Sequence, residues 1–175
     1  MTIFSTPIEQ IFGDGPESVY LYYFPTQRAG RAHWPCKIGK AKNDPIKRIM
    51  QQQASMQEAP HIGLLIKSQC SAYDEMIIHQ ALRSRKLDTH GKEWFETNPS
   101  QALTLFQNAK DDLTLGQQIR LRRIAQRMTQ AQLAQTAGLR QATVSAVERG
   151  ENVEWNSLRE ILRELRATVR VVDLE

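Results

Sequence analysis

The sequence predicts two domains: an α+β domain over residues 1–110 and an all-α domain with a C-terminal β-strand over residues 111–175. Three observations lead there. Between Val19 and Ala109, β-type runs alternate with segments of helical period. From Leu113 to Leu165 every periodic segment is helical, and Asp111-Asp112 marks the break between the two patterns. Strands and helices that segregate in this way give an α+β layer, here a small antiparallel three-stranded sheet with flanking helices.

Residues 1–17 read as a lead-in, in which Ile8, Ile11 and Phe12 can pack before the turn cluster Gly13-Asp14-Gly15-Pro16. Val19–Phe24 is Tyr-rich and reads as the first strand. Pro25–Arg31 is a hairpin loop, and His33–Gly39 is the second strand. Asp44-Pro45 opens a helix, with Asp as cap and Pro in the first turn, running to about Gln57. His61–Ser68 is the third strand, Ala72–Arg85 a helix, Gly91–Phe95 a turn or short strand, and Pro99–Ala109 a last helix. Four helices follow, the fourth being Trp155–Leu165, and Val169-Arg170-Val171-Val172 alternates with period two as a terminal strand.

Composition is that of a globular chain: 175 residues, 41% hydrophobic and 24% charged. No apolar run approaches the ~20 residues of a membrane span. The start, MTIFSTPIEQIF, has no basic n-region, so no signal peptide is expected. Two cysteines, Cys36 and Cys70, cannot build a disulfide framework, and a reducing cytoplasm is the expected compartment. Scattered His and distant Cys give no zinc spacing. A formal charge of +4 does not by itself indicate nucleic acid. Residues 111–175, however, hold ten Arg and no Lys. Arg is the better two-pronged ligand for phosphate and guanine, although Arg159, Glu160, Arg163 and Glu164 read as pairs on a solvated helix face.

The sharpest pattern is Thr129-Gln130-Ala131-Gln132-Leu133-Ala134-Gln135-Thr136-Ala137-Gly138-Leu139, followed by Gln141 to Gly150. Thr129 caps one short helix, Gly138 allows a positive φ in the turn, and Val144 and Val147 bury the next helix against Leu158, Ile161 and Leu162. This is the layout of a helix-turn-helix, whose second helix enters the major groove. Residues 115–165 resemble the Cro/lambda-repressor-like (XRE) family, and Thr129 through Gly150 fill every position of its motif. Arg140, Gln141, Ala142, Thr143 and Ser145 are left pointing outward. The resemblance implies that Gln141, Ala142 and Thr143 face bases, and that Gln130, Ser145 and Arg149 lie near phosphates or hold the local fold. A salt bridge between Glu148 and Arg149 is expected. Pairing of two strands at Thr168–Val172 would make a homodimer reading two half-sites of double-stranded DNA.

In the first domain, Val19-Tyr20-Leu21-Tyr22, Lys37-Ile38-Gly39-Lys40, Arg48, Glu75 with His79, and Glu93-Trp94-Phe95 occur in a telling order. Residues 19–106 resemble the GIY-YIG nuclease family, in particular its phage and bacterial branch whose second motif reads K-I-G. The resemblance implies a metal-dependent DNA endonuclease. Glu75 would be the single ligand of Mg²⁺ (or Mn²⁺), and Arg48 would hold the scissile phosphate. Lys40 stands where members carry a basic residue, and His79 shares the Glu75 face one turn on. Tyr20 and Tyr22 project from one face of the strand, with Tyr22 preferred as the first-motif tyrosine. Lys37 replaces the second-motif tyrosine, and Gln27–Trp34 lengthens the segment between the motifs. The alternatives are a transcription regulator with an inactive first domain used for partner or DNA binding, and an antitoxin-like protein whose first domain grips another protein.

Overall fold

A computed structural model describes residues 8–52 and 58–169. The chain divides into two compact units, residues 1–112 and 113–175.

The first unit holds five strands, not three. These are β1 (Ile11–Gly13), β2 (Glu17–Tyr23), β3 (Trp34–Ala41), β4 (His61–Ser68) and β5 (Trp94–Thr97), in the order β1-β4-β2-β3-β5. The sheet is mixed: β1 runs parallel to β4, and the other neighbours are antiparallel. The lead-in therefore supplies an edge strand. Its backbone also docks before β1, where the Glu9 amide donates to the Ile62 carbonyl. The expected loop after β2 contains one helical turn, α1 (Pro25–Arg28), with Pro at its start where a missing N–H costs nothing.

β2 is the central strand by burial as well as by order. From Ser18 through Phe24 every residue is buried. Tyr20, Tyr22 and Phe24 enter one apolar cluster with Ala41, Ile49, Ile62 and Leu65. Tyr20 and Tyr22 stack with centroids 6.2 Å apart, as their alternation predicts. Helix α2 (Pro45–Gln52) starts where expected, because Asp44 Oδ1 accepts from the amides of Ile46 and Lys47. Its expected extension over residues 53–57 lies outside the described residues.

Helix α3 (Ser71–Ala81) is capped from a distance. The Ser71 amide and hydroxyl both donate to Glu17 Oε2, at 2.8 and 2.6 Å, so the start of β2 fixes the start of α3. Asp74, nearly fully buried, accepts from Ser68 Oγ at 2.5 Å and from Lys110 Nζ at 3.2 Å. Lys110 lies in the last turn of α4 (Pro99–Asp111), which Asn98 caps through the Gln101 amide. The Asp74 network thus ties β4, α3 and α4 together.

The second unit is helical over its described residues: α5 (Leu115–Ala125), α6 (Gln130–Thr136), α7 (Gln141–Arg149) and α8 (Trp155–Glu164). Ile119, Leu133, Ala134, Val144, Val147, Ile161, Leu162 and Leu165 form its core, with Leu158 packed against it. Capping boxes at Thr114 and Thr129 open α5 and α6. Gly138 has φ +67°, the left-handed turn expected of it. The expected strand over 168–172 is not met at Thr168 and Val169, which have no regular structure. Its remainder, and with it the strand-mediated dimer, lies outside the described residues.

Candidate functional site

Four elements of the first unit bring the expected residues together. β2 and β3 are antiparallel neighbours with Tyr20 opposite Gly39, and this pairing explains the glycine. A Cβ built on Gly39 would sit 2.7 Å from the Tyr20 hydroxyl oxygen and 2.8 Å from Cζ. The bare backbone at Gly39 is the bed on which the Tyr20 ring lies. From α2, Gln52 Oε1 accepts a hydrogen bond from the Tyr20 hydroxyl at 3.2 Å. Burial pushes the phenol above its ordinary 10.0; Arg48 pulls it down, while Glu93 and Glu75 add to the rise. The Tyr20 hydroxyl therefore stays protonated at neutral pH, among charges contributed by α2, α3 and the residue before β5.

Tyr22, preferred from sequence, is fully buried and lies edge-on to Phe24 and Trp94 at 6.1 and 5.9 Å, while the Tyr20 hydroxyl feels Arg48, Glu93 and Glu75. Glu75 projects from α3 with its side chain 11% exposed, and Lys40 Nζ pairs with its Oε2. This ion pair was not foreseen. Lys37 faces Tyr22 across the sheet and pairs with Glu93 at 3.7 Å, so the replaced motif position carries a cation beside the cluster. His79 packs on Phe95 with ring centroids 5.0 Å apart. Burial pushes its pKa below the ordinary 6.5 against the opposing pull of Glu75, and its buried Nε2 has no hydrogen-bond partner among the described residues.

Beside this cluster opens a cleft of about 600 Å³, lined by Lys40, Ala41, Lys42, Asn43, Asp44, Lys47, Arg48 and Gln51. Four cations against one carboxylate make it electropositive. Lys42, Lys47 and Gln52 escaped the reading of the sequence, yet Lys47 and Gln52 stand one residue before and four after Arg48 on the same helix. Among the described residues no three His, Cys, Asp or Glu gather as a metal cage.

The second unit presents α7. Arg140, Gln141 and Ala142 are exposed, and Thr143 and Ser145 are half-buried. Gln141, Ala142, Ser145 and Arg149 line an open hollow of about 380 Å³ along one helix face. Gln130 does not reach outward: its Nε2 donates to Glu148 Oε2 at 2.9 Å. The expected pairing of Glu148 with Arg149 is corrected. Arg123 of α5 grips Glu148 with two prongs, Nε–Oε1 2.6 Å and Nη2–Oε2 3.0 Å, and donates to the Met128 carbonyl at 2.7 Å. Burial pushes the Glu148 carboxyl up, but hydrogen bonds from Arg123 and Gln130 outweigh it and hold the carboxyl below its ordinary 4.5. Arg149 instead pairs with Glu151 at 2.5 Å. The pairs among Arg159, Glu160, Arg163 and Glu164 form as expected.

Comparison with known proteins agrees with the second unit and renames the first. A helix-turn-helix family model matches residues 119–153, which supports DNA binding by this unit. No helix among the described residues is long and apolar enough to cross a membrane. No curated protein and no solved structure matches the chain. Over the first unit, the family found is the T5orf172 domain, in place of the GIY-YIG family that its motifs resemble. That match spans residues 18–110, more than half of the chain, and the protein belongs to the T5orf172 domain family.

Proposed function

We propose that the chain is a sequence-specific DNA-binding protein whose first unit is a metal-dependent DNA endonuclease. One observation carries the proposal: Tyr20 from β2, Lys40 from β3, Arg48 from α2 and Glu75 from α3 meet beside a cationic cleft. Phosphodiester hydrolysis needs cations on the phosphate, a proton donor or relay, and a charge sink for the leaving oxygen.

The donor set is compatible with one Mg²⁺ or Mn²⁺. A single carboxylate suits an ion that keeps several waters and takes phosphate oxygens, and it does not suit a caged ion. Glu75 would hold the ion, which would supply positive charge at the phosphoryl oxygens. Lys40 leaves the carboxylate for that to happen and is then free to contact phosphate. Arg48, Lys42 and Lys47 orient the backbone in the cleft, Arg48 by its planar fork. Protonated Tyr20, which donates to Gln52, would turn that hydrogen to a phosphate or water oxygen. Buried His79, held neutral, accepts a proton if solvent reaches its Nε2.

In the second unit, Arg140, Gln141, Ala142, Thr143 and Ser145 read bases from the major groove, with Arg149 at the phosphates. Two copies joined through this unit would read two half-sites of double-stranded DNA.

A second reading is favoured by the Lys40–Glu75 ion pair, which neutralises the carboxylate proposed to hold the metal. In it the first unit is inactive, and the protein is a transcription regulator that uses the cationic cleft for extra DNA contact. The deciding experiment incubates supercoiled plasmid with Mg²⁺ or Mn²⁺ and wild type, Glu75→Ala or Tyr20→Phe. Metal-dependent nicking that disappears in Glu75→Ala supports the nuclease. Intact plasmid that is nonetheless retarded by every variant supports the regulator.

A further inference from the structure

The hollow on α7 contains an anion's grip on its only described arginine. Gly150 ends the helix in the left-handed region, φ +79°, and two backbone bonds close the turn: Gly150 N–H to the Val147 carbonyl and Glu151 N–H to the Ala146 carbonyl, both 3.0 Å. The cap therefore fixes where the Glu151 side chain begins. From there its Oε1 accepts from Arg149 Nε at 2.5 Å, while Arg149 Nη1 donates to Ser145 Oγ at 2.5 Å. Ser145 and Arg149 are one helical turn apart on the face that also presents Gln141 and Ala142. The guanidinium is thus held along α7 by a carboxylate on one side and a hydroxyl on the other. Both charged side chains stay about half exposed, at 56% and 53%.

We propose that Glu151 is a specificity-determining residue of the helix-turn-helix: it positions Arg149 and competes with DNA phosphates for it. This rests on the DNA-binding reading of the second unit. An exposed ion pair is weak, so a phosphate brought close by correct base contacts replaces Glu151, whereas on mixed sequence the pair persists. Until it does, Arg149 is not a freely swinging cation. Attraction to arbitrary sequence comes from cations of that kind and carries no sequence information. Glu151 therefore lowers binding to any DNA, and it lowers it most where the base contacts of Gln141, Ala142 and Thr143 do not hold α7 in register. The outcome is a wider gap between right and wrong sites.

The test uses the full chain, EDTA to prevent cleavage, and a fluorescein-labelled mixed-sequence duplex followed by anisotropy across a salt titration. Wild type, Glu151→Gln, Arg149→Gln and the double variant are compared, with helical circular dichroism as the check on folding. Glu151→Gln is expected to bind severalfold tighter, with a log K against log salt slope steeper by about 0.9, the value for one added phosphate neutralisation. Arg149→Gln is expected to bind more weakly with a shallower slope, and Glu151→Gln to add nothing in that background. A Glu151→Gln variant that behaves as wild type, or gains equally with and without Arg149, overturns the proposal. Wild type that fails to bind the duplex even at low salt overturns the DNA-binding reading itself. That result is distinct from a wild type that binds with a Glu151→Gln variant that changes nothing.

Discussion

At Gly39 one missing carbon sets the position of a hydroxyl. With Tyr20 almost fully buried, Gly39→Ala forces the ring to move, at a cost of about 1–3 kcal/mol for an overpacked core. Gly39→Ala is expected to lower the urea midpoint and to abolish plasmid cleavage together. Tyr20→Phe, which keeps the ring and removes the hydroxyl with its bond to Gln52, is expected to lower cleavage at least tenfold at a stability cost of only about 1 kcal/mol. Comparing the two separates position from chemistry. The sequence already contains the glycine, the lysines and the arginine of this site. It cannot choose between Tyr20 and Tyr22, because alternation puts both on one face and only the β2–β3 register sets Tyr20 over Gly39. The Lys40–Glu75 pair was hidden for the same reason, since its partners are 35 residues apart.

Among the elements, α5, α6 and α7 are joined by one buried charge cluster of Arg123, Glu148 and Gln130. Removing one partner of such a pair strands the other, so Arg123→Ala is expected to cost the second unit about 3–5 kcal/mol in denaturant unfolding. The cluster also predicts a pH dependence. The Glu148 carboxyl is depressed when folded, so its contribution is complete above its ordinary value of 4.5 and is lost as pH falls through the lower folded value. Chemical denaturation of wild type from pH 7 downward should show this loss. Glu148→Gln should be less stable at pH 7 and should lack the acid-dependent part. The helices of this unit were readable because their caps and apolar spacing are local in sequence. The strands were readable only in part: β2 and β4 are long and apolar, whereas β1 has three residues, all exposed, and no alternation. A strand of that kind is defined by the neighbour it hydrogen-bonds to, and β4 lies some fifty residues away.

For the whole molecule, the two units divide labour: residues 113–175 hold the helix-turn-helix and residues 1–112 the cationic cleft. If the second unit concentrates the first on DNA, a chain ending at Asp112 should need about 10²-fold more protein for equal plasmid cleavage, with the cut products otherwise alike. The strand order has a further consequence, for the time course of folding. β2 and β3 are consecutive in sequence and adjacent in the sheet, while the pairing at the β1 edge joins Ile11 to Leu65. Short-range contacts close first because their loops cost less entropy. The hairpin carrying Tyr20, Gly39 and Lys40 should therefore belong to the folding nucleus, and β1 should dock after the rate-limiting step. Stopped-flow measurements should find that Leu21→Ala mainly slows refolding and Phe12→Ala mainly speeds unfolding. The hairpin that carries Tyr20, Gly39 and Lys40 would then be assembled before the β1 edge is in place.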